Sequence, residues 1–217
     1  MIKAVIFDMD GLMFDTESLY YETEKIMATK RGKIFSKELM HKMMGRKSLE
    51  SIKIMKEELG LKESLGSLNK ERESLYEKLL LKKAFPMKGL NDLLEIVLNL
   101  KKFLALATAS KRRFVEILLN KFHLTHFFKA IITEENVLKG KPDPEIYSAV
   151  ISKLDLHPNN CLVLEDSRNG LLAAKNAGCF CIVVPNQFTM SQDFSEADMI
   201  VSGLDDKRII EFIRRKS

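Results

Sequence analysis

Hydrophobic and polar positions fall into two textures along this chain. Residues 2–7 form a short apolar run that stops at Asp8-Met9-Asp10-Gly11, and they read as a buried strand. Residues 17–83 are rich in Glu, Lys, Leu and Met, have few β-branched runs, and read as helical. Gly32, Gly45, Gly60 and Gly66 divide that stretch into about four helices. Ser36 and Ser48 stand where N-caps are expected, and Glu38 and Glu50 then put an acid in each first turn. Ser48-Leu49-Glu50-Ser51 is not a capping box, because Ser51 stands where the box needs Glu or Gln.

After Pro86 short apolar strands alternate with amphipathic helices. The strands are expected at Phe103–Ala107, Ala130–Thr133, Cys161–Leu164, Cys179–Val184 and Met199–Val201. The helices are expected near Leu90–Leu100, Arg112–Phe122, Pro144–Leu154, Asn169–Ala177 and Asp206–Arg215. This alternation predicts an α/β fold, a parallel sheet with helices on both faces, and the first strand belongs to it by pattern. Residues 16–85 are then a helical domain inserted after strand one, and residues 1–15 and 86–217 make the sheet domain. The insertion leaves and re-enters through linkers near residues 13–16 and 82–88, close to the acid pair, so it can serve as a lid.

Composition narrows the picture. At 46% hydrophobic and 30% charged, 217 residues can bury one large core or two small ones and stay soluble. No stretch approaches the ~20 apolar residues of a membrane helix, so no membrane partner is expected. Met1-Ile2-Lys3-Ala4-Val5 runs straight into a strand, so no signal peptide is expected. Cys161, Cys179 and Cys181 are odd in number and lack Cys-x-x-Cys spacing, which argues for buried reduced thiols and a cytoplasmic location. The net charge of +5 lies in residues 16–85, which hold 16 basic and 11 acidic residues against 19 of each elsewhere. Those basic residues are interleaved with acids and have no aromatic platform, so a solvated, mildly anion-attracting surface is expected rather than a nucleic-acid interface.

The chemistry gathers at strand ends. Asp8 and Asp10 are i and i+2 of an extended run, so both carboxylates face one point at the strand's carboxyl end. Taken alone they fit either a solvated turn or a metal-supported nucleophile and acid/base pair. Thr108-Ala109-Ser110 follows the second strand, ahead of a helix N-terminus that could cradle phosphate or simply be capped by Ser110. Gly140-Lys141-Pro142 brackets a lysine rigidly after the third strand. Glu165-Asp166-Ser167 places a second acid pair after the fourth, where oxygen ligands suit Mg²⁺ and where Asp166 or Ser167 could cap the next helix. Together, two acid pairs, a hydroxyl and a lysine at four strand ends supply the parts that phosphoryl transfer needs.

With Asp8-Met9-Asp10-Gly11, Thr108, Lys141 and Glu165-Asp166 in this order, the chain resembles the haloacid dehalogenase-like phosphohydrolase superfamily over essentially its whole length. Within it, the chain resembles the branch holding β-phosphoglucomutase, sugar-phosphate phosphatases and pseudouridine-5′-phosphatase; Asp8–Glu17, Met44–Glu50 and Cys161–Gly170 look closest to the last. The resemblance implies a Rossmann-like catalytic core with a helical cap. It also implies an enzyme acting on a small phosphorylated metabolite; a monomer is expected, with a weak oligomer left open. Asp8 would attack phosphorus and form an aspartyl phosphate, and Asp10 would protonate the leaving alcohol and then activate water. Mg²⁺ would be held by Asp8, the Asp10 main-chain carbonyl and Asp166, with Glu165 direct or through water. Thr108 and the Ala109 N–H would hold phosphoryl oxygens, and Lys141 would neutralise developing charge. Tyr20, Arg46, Lys47 and Ser48 are the cap candidates for choosing the substrate.

Three departures bear on the reaction. β-Phosphoglucomutase has a histidine where this chain has Tyr20 and an arginine slightly later than Arg46, so plain phosphatase activity is expected before mutase activity. Lys88 replaces the usual proline before the glycine of the second linker. A phospho-accepting signalling domain would be shorter, would carry its acceptor on an internal strand and would lack the lid. A dehalogenase would not need the proton donor Asp10.

Overall fold

The computed structural model describes residues 1–44 and 46–215. Gly45, expected to break a helix, and the last two residues of the sheet domain lie outside the described residues.

Strand β1 (Ala4–Phe7) is buried along its whole length. Its side chains alternate between faces: Val5 and Phe7 enter one apolar cluster, and Ala4 and Ile6 enter another. The same division runs through β2 (Phe103–Ala107) and β4 (Cys161–Glu165), as expected of parallel strands covered on both sides. With β3 (Ala130–Ile132), β5 (Phe180–Val183) and β6 (Met199–Ile200) they form a six-stranded sheet of order β3-β2-β1-β4-β5-β6, every pair parallel. The strand order reverses direction at β1, between β2 and β4. That crevice is where open parallel sheets bind ligands.

Helices α5 (Leu90–Asn99), α6 (Arg112–Lys121) and α9 (Lys207–Arg215) cover one face of the sheet. Helices α7 (Glu145–Leu154) and α8 (Arg168–Asn176) cover the other. The predicted strands and helices fall within a residue or two of these bounds.

Between β1 and α5 the chain forms α1 (Glu17–Thr29), α2 (Lys37–Met43), α3 (Ser48–Leu59) and α4 (Leu65–Lys83). Helix α1 packs on α4, and α2 on α3. They bury their own apolar cluster, rich in methionine, which Phe188 from the sheet side also joins. Ser36 caps α2 as expected, accepting from Leu39 N. Ser48 does not cap α3: Lys47 holds the N-cap position, and Ser48 is the first helical residue. The Glu134 carboxylate, from the segment after β3, takes up the free Ser48 N–H at 3.0 Å.

Candidate active site

The carboxyl end of β1 delivers Asp8 and Asp10 into the crevice, and the two acids acquire different partners. Asp8 Oδ1 accepts from Lys141 Nζ at 2.5 Å, and both residues are buried. Among the described residues the side-chain donors to Asp10 are all hydroxyls: Thr16 Oγ1 at 2.7 Å on one oxygen, Thr108 Oγ1 at 3.0 Å and Ser110 Oγ at 2.7 Å on the other. The backbone turns just after Asp10, at Gly11, whose φ of +78° favours glycine. A Cβ there would stand 2.6 Å from Asp166 Oδ2, so Gly11 also lets the two acid-bearing loops approach.

Lys141 enters from the loop before α7, and its Nζ also donates to Glu165 Oε1 at 2.5 Å. Glu165 is fully engaged. Tyr147 hydroxyl donates to Oε1, while the Asp166 N–H, the Ser167 N–H and the Ser167 hydroxyl donate to Oε2. Gly170, one turn into α8, leaves room for that carboxylate: a Cβ would lie 1.8 Å from Glu165 Oε1. Ser167, not Asp166, caps α8 through Gly170 N, so Asp166 remains free to face Asp8. Asn186, from the loop after β5, steadies Asp166 Oδ2 at 2.7 Å.

Carboxylate oxygens of Asp8, Glu165 and Asp166 all lie within 4.8 Å of one another. Burial pushes the Asp8 carboxyl up to about 8, against the pull of Lys141 and with Glu165 and Asp10 adding to it. Burial, then Glu165, Asp8 and Glu17, raises Asp166 well above the ordinary range. Glu165 alone in this group titrates low: burial opposes ionisation, but Lys141, Tyr147 and the Ser167 N–H outweigh it. An oxygen-only cluster with more negative charge than one lysine offsets suits a hard divalent cation such as Mg²⁺. Asp8 and Asp166 fit as direct ligands; both oxygens of Glu165 are already hydrogen-bonded.

Residues 5–184 match the sequence profile of the family described as haloacid dehalogenase-like hydrolase. The chain belongs to that family. The phosphorylated carbohydrates phosphatase of Thermotoga maritima is 36% identical to it over 181 residues, 82% of either chain. (DL)-glycerol-3-phosphatase 2 of Arabidopsis thaliana is 34% identical over 219 residues, covering 94% of this chain and 88% of that one. The crystal structure of CbbY from Rhodobacter sphaeroides in complex with phosphate superposes with a TM-score of 0.84 at 26% identity, covering 95% of this chain and 96% of its own. Membership sets aside the signalling-domain alternative: the protein is a hydrolase.

In this haloacid dehalogenase-like hydrolase a cavity of about 70 Å³ opens over the acids, with Asp8, Asp10, Ala109, Lys141 and Asp166 on its sheet side. Thr108 lies behind that wall, fully buried, its hydroxyl engaged with Asp10 and with the Ser110 N–H. Tyr20, Arg46 and Ser48 reach the cavity from the helical side. Tyr20 hydroxyl lies 3.0 Å from Ser110 Oγ and so connects α1 to the Asp10 hydroxyl network. Lys47 does not reach the cavity: its Nζ donates to the Val137 and Leu138 carbonyls at 2.7 and 3.3 Å. Ser110 is not the cap of α6, whose N-cap is Lys111; it faces Asp10 instead.

Several site residues carry no motif signal. Thr16, Tyr147 and Asn186 support the acids from loops and helices that read as ordinary. Glu17 lines the cavity from the first turn of α1, where it looks like a favourable dipole partner. Burial and the Asp10 and Asp8 carboxylates push its carboxyl up to about 8. Glu24 and Arg72 form a buried ion pair at 2.5 Å on the helical wall.

Proposed function

We propose that this hydrolase is a Mg²⁺-dependent phosphatase that cleaves a small phosphomonoester through a phosphorylated Asp8. The observation that carries the reading is the unequal provision for the two acids of β1: a buried lysine for Asp8, three hydroxyls for Asp10. A nucleophile needs its charge stabilised, and a proton shuttle needs neighbours that can donate or accept. The phosphatase names of the relatives support the same reading, and one of them acts on phosphorylated carbohydrates.

Asp8 attacks phosphorus opposite the leaving oxygen, and the phosphorus–oxygen ester bond breaks as the phosphoryl group passes to Asp8. Asp10 gives its proton to the departing alkoxide. It then removes a proton from the water that attacks the phosphorylated Asp8, which restores the carboxylate and releases phosphate. The hydroxyls of Thr108 and Ser110 keep Asp10 oriented through both steps. Lys141 balances negative charge as it grows on Asp8 and the phosphoryl oxygens. Asp8, Asp166 and the Asp10 main-chain carbonyl would hold Mg²⁺, with Glu165 behind them fixing Lys141. When bound, the ion supplies positive charge beside the phosphoryl oxygens and the acid cluster.

Residues 1–15 and 86–217 act in this reading as the catalytic core, and residues 16–85 as the cap that closes over it and chooses the substrate. Three free buried thiols suit a reducing compartment such as the cytoplasm.

The reading predicts that Asp8→Asn lowers kcat for para-nitrophenyl phosphate by at least ~10⁴-fold, the scale of losing a covalent nucleophile, while the variant melts like wild type. Chelation of divalent metal should stop the wild-type enzyme, and Mg²⁺ should restart it. Wild-type rates in Asp8→Asn would falsify the mechanism.

A further inference from the structure

The helical wall of the cavity contains a polar atom that no group among the described residues satisfies. Glu24, on α1, is fully buried and lines the cavity. Its Oε1 accepts from Arg72 Nε at 2.5 Å, but its Oε2, which has almost no accessible surface, has no hydrogen-bond partner among the described residues. Arg72, on α4, is itself held in place. Its guanidinium lies 5.2 Å above the centre of the Tyr20 ring, and one of its terminal nitrogens faces the Ser48 carbonyl at 3.3 Å. A buried acceptor left without a donor is costly, and a group entering the cavity can supply that donor.

We propose that Glu24, positioned by Arg72, is a specificity-determining residue: its Oε2 accepts a hydrogen bond from a hydroxyl on the leaving group of a neutral, polyhydroxylated alcohol carrying a single phosphate. This deepens the phosphatase reading and rests on it. Charge narrows the class. Arg46, Arg72, Lys111 and Lys141 all line the cavity, and they already face Glu50, Glu24, Glu73 and the Asp8–Glu165 pair respectively. A leaving group with a second phosphate or a carboxylate would find each of these cations committed and would bring its charge toward Glu24. An apolar leaving group would leave the buried Oε2 without a donor. A cationic one would meet Arg72 on the same carboxylate. A neutral hydroxyl satisfies the oxygen with neither penalty.

The test compares kcat/KM within matched pairs of esters that differ only in hydroxyl content: glycerol 3-phosphate against n-propyl phosphate, and sorbitol 6-phosphate against n-hexyl phosphate. In the pair that the enzyme turns over faster, the wild type should favour the polyol ester by at least about tenfold, the discrimination expected of a site built to bond a hydroxyl. Glu24→Gln keeps the shape but replaces the carboxylate with an amide, and should lower that ratio by about 10- to 100-fold, the scale of one hydrogen bond to a charged group. Glu24→Leu combined with Arg72→Leu removes both charges together, so no unpaired ion is stranded, and should bring the ratio to one or below. A wild type without preference in either pair overturns the proposal. So does a ratio unchanged within about twofold in both variants while each melts cooperatively. Failure of the wild type on all four esters and on para-nitrophenyl phosphate removes the phosphatase reading itself. Equal turnover within both pairs removes only the role of Glu24.

Discussion

Two buried cation–carboxylate groups face the same cavity, and they are finished to different degrees. On the sheet side, Lys141 joins Asp8 to Glu165, and Tyr147, Ser167 and the Asp166 N–H engage what remains of Glu165. On the helical side, Arg72 holds one oxygen of Glu24 and leaves the other bare. The ingredients are the same, so the difference lies in completeness. A fully satisfied polar network is rigid and fixes atoms for chemistry. An incomplete one keeps an acceptor for something that arrives from outside.

The contrast can be broken most severely at Lys141. Lys141→Met strands Asp8 and Glu165 together, and should lower kcat for para-nitrophenyl phosphate by about 10²–10³-fold. It should also destabilise the metal-free protein by roughly 3–5 kcal/mol, since two buried acids lose their counter-ion. Rates from phosphate release and urea melts read the two effects, and a rate loss below tenfold would erase the distinction between the two sides. Arg72→Met should cost a comparable ~3–5 kcal/mol, because Glu24 is then buried without its cation, but less than about tenfold in turnover of the same aryl ester. Equal rate losses in the two variants would mean that both groups serve the reacting atoms.

The smallest expected effect concerns Glu17, which burial pushes up to about 8 from an ordinary 4.5. The folded protein thus binds this proton more tightly than the unfolded chain. The stabilisation is complete below about pH 4.5 and is lost as pH rises toward 8, at no more than about 1.4 kcal/mol per pH unit. Asp8, pushed up to about 8 as well, works in the same direction. Metal-free wild type should therefore melt at higher temperature at pH 5.5 than at pH 7.5, and Glu17→Gln should shrink the gap. Identical gaps in the two proteins would show that Glu17 binds its proton no more tightly in the folded protein than in the unfolded chain.

The fold was legible because strand and helix periodicities separate cleanly after Pro86, and because the chemistry stands at strand ends, where a short motif has one place to point. Asp8, Asp10, Lys141 and Asp166 reach the cavity for that reason. The helical side offered no such anchor. Glu24 and Arg72 each read as one more surface charge on an amphipathic helix, and only the packing of α1 on α4 makes them partners. Lys47 and Ser48 illustrate the converse. Adjacent in sequence, they diverge: Ser48 turns to the cavity while Lys47 reaches the carbonyls after β3. Ser48 does not become the cap of α3 because Glu134, which takes up its free N–H, comes from a distant segment that local sequence cannot see.

Strand β1 pairs with β2 on one side and β4 on the other, so the acids at its end wait for a strand that begins only at Cys161. During synthesis Asp8 leaves the ribosome 133 residues ahead of Lys141. Its companions, Lys141, Glu165, Asp166 and Asn186, emerge long afterwards. Until Cys161–Glu165 arrives, β1 also presents an unpaired apolar edge, the kind of surface that recruits chaperones or aggregates. A nascent or truncated chain is for this reason both inert toward phosphate esters and prone to stick. Catalytic activity in a translation reaction becomes a direct readout of completed folding.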